Sequence, residues 1–132
     1  MPLEPSALRS VIEREMPATL AHLRGWVGIN SWTRHRDGVN ALGLATAAAF
    51  APLGFVAEFV PCAEKKCGRH LFLRKPGRTR RTLLCVSHLD TVFPPEEEER
   101  QNFRWREAEG RIYGPGVVDI KGGTALFWMQ LC

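Results

Sequence analysis

Thr82-Leu-Leu-Cys-Val-Ser-His-Leu-Asp-Thr91 joins an apolar run to a histidine and an aspartate two positions apart. The run Thr82 to Val86 reads as a strand buried on both faces, the kind found at the centre of an α/β sheet. Such a strand ends at Ser87, and its carboxyl end delivers side chains to the crevice where α/β sheets place their sites. On an extended backbone His88 and Asp90 point to the same side. One carboxylate can then hold the imidazole by its second nitrogen and leave the other nitrogen free for a metal. By itself the pattern is weak, since a lone histidine at a strand end is more often structural than a ligand.

Upstream, Leu8, Val11, Ile12 and Met16 recur at helical spacing, and Leu20, Leu23, Trp26 and Val27 continue the stripe beyond Pro17. Pro17 fits the first position of a second helix better than the interior of one, although it can also kink a single helix. A polar loop follows over Asn30 to Gly38, with Asp37 or Asn40 able to cap an Ala-rich helix running to Phe50 and ended by Pro52 and Gly54. Phe55 to Val60 and Arg69 to Arg74 have strand character and suit antiparallel neighbours. Lys75-Pro-Gly-Arg78 reads as a turn, and Glu96 to Glu99 as a solvated loop.

Downstream stands Tyr113-Gly-Pro-Gly-Val-Val-Asp-Ile-Lys-Gly-Gly123, a glycine-rich turn that brings Asp119 to the start of an apolar helix. Gly114 and Gly116 permit backbone conformations closed to other residues, and Gly122 with Gly123 permits close packing of the helix start on a strand. Two readings of Asp119 are open: a carboxylate bridging two metal ions with its two oxygens, or a cap for the helix that follows.

Asp119 lies thirty-one residues after His88, and the two motifs together resemble the di-zinc family that includes glutamate carboxypeptidase, acetylornithine deacetylase, succinyl-diaminopimelate desuccinylase and aminoacylase. The family pattern Gly-His-x-Asp-Thr-Val is matched by Ser87-His-Leu-Asp-Thr-Val92. The pattern Gly-x-x-Tyr-Gly-x-Gly-x-x-Asp-Met-Lys-Gly-Gly is matched by Gly110-Arg-Ile-Tyr-Gly-Pro-Gly-Val-Val-Asp-Ile-Lys-Gly-Gly123. His88 to Pro94 looks most like the glutamate carboxypeptidase branch. Weaker likeness extends through Ile29-Asn-Ser31 with Thr33, Gly38-Val-Asn40 and Leu53-Gly-Phe55. Ser87 for glycine and Ile120 for methionine are mild departures, and Trp32 for a small residue has no explanation in the sequence.

The resemblance implies an α/β fold with helices packed on a mixed β-sheet, residues 1–132 being the N-terminal portion of a zinc-exopeptidase-like metallopeptidase catalytic domain. It makes His88 a terminal ligand of one Zn2+, Asp119 the bridge to a second, and Asp90 the catalytic-site carboxylate that orients His88. It also implies a cis peptide at Asp119-Ile120. The implied function is metal-dependent hydrolysis of an amide or peptide bond in a peptide or N-acyl amino acid, with zinc or another divalent metal. Water attacks the carbonyl, two metals polarise it, and a glutamate from a later Glu-Glu pair shuttles the proton. Only thirteen residues follow Asp119 and none is acidic, so that glutamate, the remaining ligands, and the lid or dimerisation domain are expected to be absent and the chain inactive.

The composition agrees with an ordinary globular chain: 132 residues, 45% hydrophobic, 24% charged, formal net charge +4. Arg69, Arg74, Lys75, Arg78, Arg80 and Arg81 hold much of the positive excess but carry no interleaved base-stacking aromatics, so no nucleic-acid partner is expected. Charged residues interrupt any apolar leader, and Ala125 to Cys132 is too short to span a bilayer, so neither a membrane partner nor a leader is expected and the location defaults to the cytoplasm. Two other readings stay open. The apolar helix after Gly123 could make the chain a non-catalytic module that binds or self-associates. Alternatively, Cys62, Cys67 and His70 could form a small zinc module, though no fourth ligand is evident.

Overall fold

A computed structural model describes residues 4–132. Its first element, α1 (Pro5–Val27), is one continuous helix with Pro5 at its first turn, and it runs through Pro17. Pro17 therefore does not open a second helix. It sits on the exposed side, one turn from the stripe that matters, while the Thr19 hydroxyl donates to the Glu15 carbonyl at 2.9 Å. The buried positions Leu23, Trp26 and Val27 anchor the second half of the helix.

After a loop at residues 28–35, α2 (Arg36–Phe50) packs Leu42, Ala49 and Phe50 against the same core. Neither expected cap closes its start, where His35 precedes the helix without a side-chain cap bond. Asn40 serves elsewhere, accepting the Arg69 amide hydrogen at 2.8 Å and so tying α2 to the hairpin. That hairpin consists of β1 (Val56–Val60) and β2 (His70–Arg74), antiparallel with Val56 opposite Arg74 and Val60 opposite His70. The alternation of His70 to Arg74 is visible as alternating exposure along β2.

The second half of the chain contains α3 (Pro95–Arg100), the short antiparallel pair β3 (Arg106–Ala108) and β4 (Arg111–Tyr113), and α4 (Gly122–Gln130). The glutamates expected in a loop lie in α3. Pro95 presets its first turn, and Glu96, Glu97 and Glu98 sit where the positive end of the helix dipole favours acids. Ala125 and Trp128 of α4 close the core against α1 and α2, and the Trp128 indole donates to the Ala49 carbonyl at 2.8 Å. The apolar helix thus turns one face inward, while Leu126 stays exposed on the other.

The α/β class is as expected, but the sheet is divided. Two antiparallel pairs stand apart, and the parallel component is a single bridge between Trp32 and Thr91. Thr82 to Val86 is not a strand: Leu83, Leu84 and Val86 are 82%, 81% and 74% exposed. An apolar run becomes a buried strand only when neighbours take its amide groups and cover both faces, and no described strand lies beside this one.

Candidate metal centre

The segment that follows Val86 is fastened at Thr91 by the bridge to the loop after α1. Thr91 donates its amide hydrogen to Ser31 O at 2.8 Å, and Thr33 donates to Thr91 O at 3.0 Å. Asn30 reinforces the junction, its side-chain amide donating to Phe93 O at 3.0 Å while its Oδ1 accepts the Trp32 amide at 3.2 Å. Trp32 acts here through its main chain, and nothing in the structure explains the choice of its side chain.

From the other direction, Tyr113 leads into the glycine turn. Gly116 has φ +75°, which favours glycine, and a Cβ there would also crowd Thr91 Cγ2 at 3.0 Å and Lys121 Cδ at 3.1 Å. The following turn, Val117–Lys121, is wide. Asp119 and Ile120 leave helical geometry, the peptide between them is cis as the resemblance implied, and Gly122 N–H reaches back to Val117 O. A Cβ on Gly122 would lie 2.2 Å from that carbonyl, and one on Gly123 would lie 2.7 Å from Ile120 Cγ1. These glycines accommodate their own turn rather than a neighbouring strand.

This turn aims Asp119 away from the helix. No side chain caps α4, so the capping reading fails. Asp119 Oδ1 lies 2.9 Å from His88 Nε2 instead, and Asp119 is largely exposed. Its second oxygen has no hydrogen-bond partner among the described residues. On the other side of the ring, His88 Nδ1 lies 2.9 Å from the Asp90 carbonyl oxygen and 3.3 Å from Asp90 Oδ1. The main chain of Asp90 is therefore the closer partner, with the carboxylate supporting it. Partial burial disfavours the imidazolium, but the hydrogen bond to Asp119, the Asp90 carbonyl and the charges of both carboxylates outweigh it, so the His88 pKa is raised above 6.5.

Two residues at this site fall within the stretches that carry the resemblance but were given no role by sequence reasoning. The Thr33 hydroxyl donates to Asp90 Oδ2 at 2.6 Å. Lys121, only 3% exposed, donates from Nζ to Ile29 O at 2.8 Å, pinning the wide turn to the end of α1. Burial lowers its pKa to about 8, with Glu98 opposing the shift. The available signal for Lys121 was its place in the Asp-Ile-Lys-Gly-Gly stretch that matches the family pattern, a lone cation between Ile120 and Gly122.

The donors suit a zinc-type ion in kind, one imidazole nitrogen and one carboxylate oxygen facing each other, but they are few. Among the described residues no group of three His, Cys, Asp or Glu is placed to hold a metal ion. That includes Cys62, Cys67 and His70. Both cysteines are free thiols, Cys67 Sγ lies 3.8 Å from Glu64, and His70 is exposed on β2.

Residues 84–131 match the sequence pattern of Peptidase family M20/M25/M40. Over 113 residues, 85% of the chain, the sequence is 34% identical to Carboxypeptidase G2 of Pseudomonas sp. (strain RS-16), covering 26% of that protein. Over 82 residues, 60% of the chain, it is 34% identical to the acetylornithine deacetylase of Vibrio parahaemolyticus serotype O3:K6 (strain RIMD 2210633), covering 20% of it. The acetylornithine deacetylase of Vibrio campbellii (strain ATCC BAA-1116) matches with the same identity and coverage. The chain therefore spans about a quarter or less of these relatives. The family resemblance carried by the two motifs is borne out.

Proposed function

We propose that this chain, a segment of the M20/M25/M40 peptidase family, furnishes part of the metal centre of a hydrolase that cleaves amide or peptide bonds in the manner of a glutamate carboxypeptidase. The observation that carries the reading is the 2.9 Å approach of His88 Nε2 to Asp119 Oδ1 across thirty-one residues. His88 and Asp119 would hold divalent metal, and Asp90 would fix the His88 ring through Nδ1. Bound divalent metal supplies Lewis acidity toward the scissile carbonyl and makes water more acidic. Substrates are peptides or N-acyl amino acids, as the names Carboxypeptidase G2 and acetylornithine deacetylase suggest for those two relatives. Among the described residues two donors converge with no glutamate beside them, so in this reading the segment by itself would bind metal weakly and turn over no substrate. No helix among the described residues is long and apolar enough to cross a membrane, which accords with a cytoplasmic location.

Calorimetric zinc titration of the chain tests the reading. Binding is expected to vanish in His88→Ala and in Asp119→Ala and to persist in Cys67→Ala. Binding abolished only by Cys67→Ala would overturn it and restore the hairpin cysteines as the site. A second reading, self-association, draws on the exposed Leu83, Leu84, Val86 and Leu126. Sedimentation showing a concentration-dependent dimer that Leu126→Glu dissolves would favour the α4 face, and a monomer at all concentrations would reject self-association.

A further inference from the structure

We propose that Thr33 is a positioning residue that sets the orientation of His88 by locking the Asp90 carboxylate. The terminal torsion of an aspartate is broad, so a carboxylate with one partner turns readily. Asp90 has two: Oδ2 accepts the Thr33 hydroxyl at 2.6 Å, which leaves Oδ1 3.3 Å from His88 Nδ1, supporting the main-chain Asp90 O that lies 2.9 Å from the same nitrogen. The hydroxyl also lies 3.2 Å from Thr91 O, but its single proton goes to the nearer and charged acceptor. The result is a relay of contacts from Thr33 through Asp90 and His88 to Asp119, drawn from the loop after α1, the segment at residues 88–91 and the turn before α4.

Main-chain bonds hold Thr33 in place independently of its hydroxyl. Thr33 N donates to Thr91 O and Thr91 N donates to Ser31 O, so the bridge survives when the side chain changes. Thr33→Val therefore removes the hydroxyl while keeping the shape and the backbone ladder, and Thr33→Ser keeps the hydroxyl. The metal arm of the test rests on the reading of His88 as a ligand; the metal-free arm does not.

In the metal-free chain, the His88 Nδ1–H signal is expected to be observed by NMR at low temperature in wild type and Thr33→Ser, and to shift and broaden in Thr33→Val, where the main-chain Asp90 O remains as its acceptor without a fixed carboxylate beside it. With zinc, Thr33→Val is expected to weaken binding roughly tenfold, the lower end of the effect of groups that orient a metal-binding imidazole. The same substitution in an Asp90→Asn background should cost nothing further, because Thr33 acts through that carboxylate. An unmoved Nδ1–H signal in Thr33→Val, or a zinc penalty that adds in full to that of Asp90→Asn, overturns the proposal. Absent zinc binding with an intact Nδ1–H response sinks the metal reading and leaves Thr33 in its role. Normal zinc binding with an unresponsive Nδ1–H does the reverse.

Discussion

His88 Nε2 lies 2.9 Å from Asp119 Oδ1, and the same ring presents Nδ1 to the Asp90 carbonyl at 2.9 Å. With an acceptor at each nitrogen, the metal-free ring retains its proton to a pH above the ordinary 6.5.

Zinc must displace the Nε2 proton, so affinity falls as pH falls, and the decline begins above the usual histidine range. Calorimetry in buffers of different ionisation enthalpy is expected to count about one proton released per zinc below the raised pKa. Asp119→Asn removes the group that holds that proton. The release then disappears at a lower pH than in wild type, although binding itself is weaker. The same contact stabilises the metal-free fold while His88 is charged, and its contribution is lost as pH rises through the raised pKa. A pH scan of urea midpoints that His88→Gln flattens in that window checks the sign.

Lys121 gives a dependence of opposite slope in a different window. Its folded pKa of about 8 lies below the ordinary 10.5, so between these values the unfolded chain binds the extra proton. Stability therefore rises with pH across that interval, as the cost of burying an ammonium group is relieved. Below pH 8 both states are protonated and the slope vanishes. Lys121→Met is expected to abolish the rise, measured by denaturant midpoints at high pH. It should also loosen the turn that Nζ ties to Ile29 O.

Leu84→Ser is expected to change stability by less than about 0.5 kcal/mol, the range for surface positions. The amide hydrogens of residues 82–87 should exchange with solvent without protection. A buried central strand would instead lose about 2–5 kcal/mol on comparable truncation, and chemical denaturation separates the two.

Which parts of this architecture are legible in the sequence follows from where each force originates. Alternation in His70 to Arg74 reports a local period, and the hairpin forms in that register because β1 lies close in the chain. Thr82 to Val86 carries equally strong strand character, yet a strand needs partners that propensity cannot supply. Asp119 was ambiguous because cap and ligand use the same residue type. The cap is ruled out by the wide turn that swings the carboxylate toward His88. Thr33 and Lys121 escaped because each acts over a long separation, fifty-seven residues to Asp90 and ninety-two to Ile29.

Trp128 joins the third helix of the core to the first two. It buries its ring beside His22 and donates to Ala49 O. Trp128→Ala is expected to cost about 3–5 kcal/mol through lost burial and a cavity. Trp128→Phe keeps much of the ring and leaves the Ala49 carbonyl short of a partner, costing about 1–3 kcal/mol. Urea unfolding of both variants gives the ratio, and equal losses would assign the whole effect to the lost hydrogen bond rather than to packing.

Two glycine substitutions of the same chemistry are expected to act in opposite directions. Gly25 lies inside α1, and a Cβ there meets nothing within 4 Å, so Gly25→Ala restricts the unfolded chain without a clash. It should stabilise the fold by about 0.5–1 kcal/mol. At Gly122 the added Cβ would stand 2.2 Å from Val117 O, a backbone atom that cannot swing aside as a side chain would. Relief requires the Val117–Lys121 turn to open, at a cost of about 1–3 kcal/mol, and opening it carries Asp119 away from His88. Gly122→Ala is therefore expected to lower both the thermal midpoint and the zinc affinity, whereas Gly25→Ala raises the midpoint and leaves the affinity alone. Undiminished zinc binding in Gly122→Ala would show that the geometry of this turn does not deliver Asp119 to the metal.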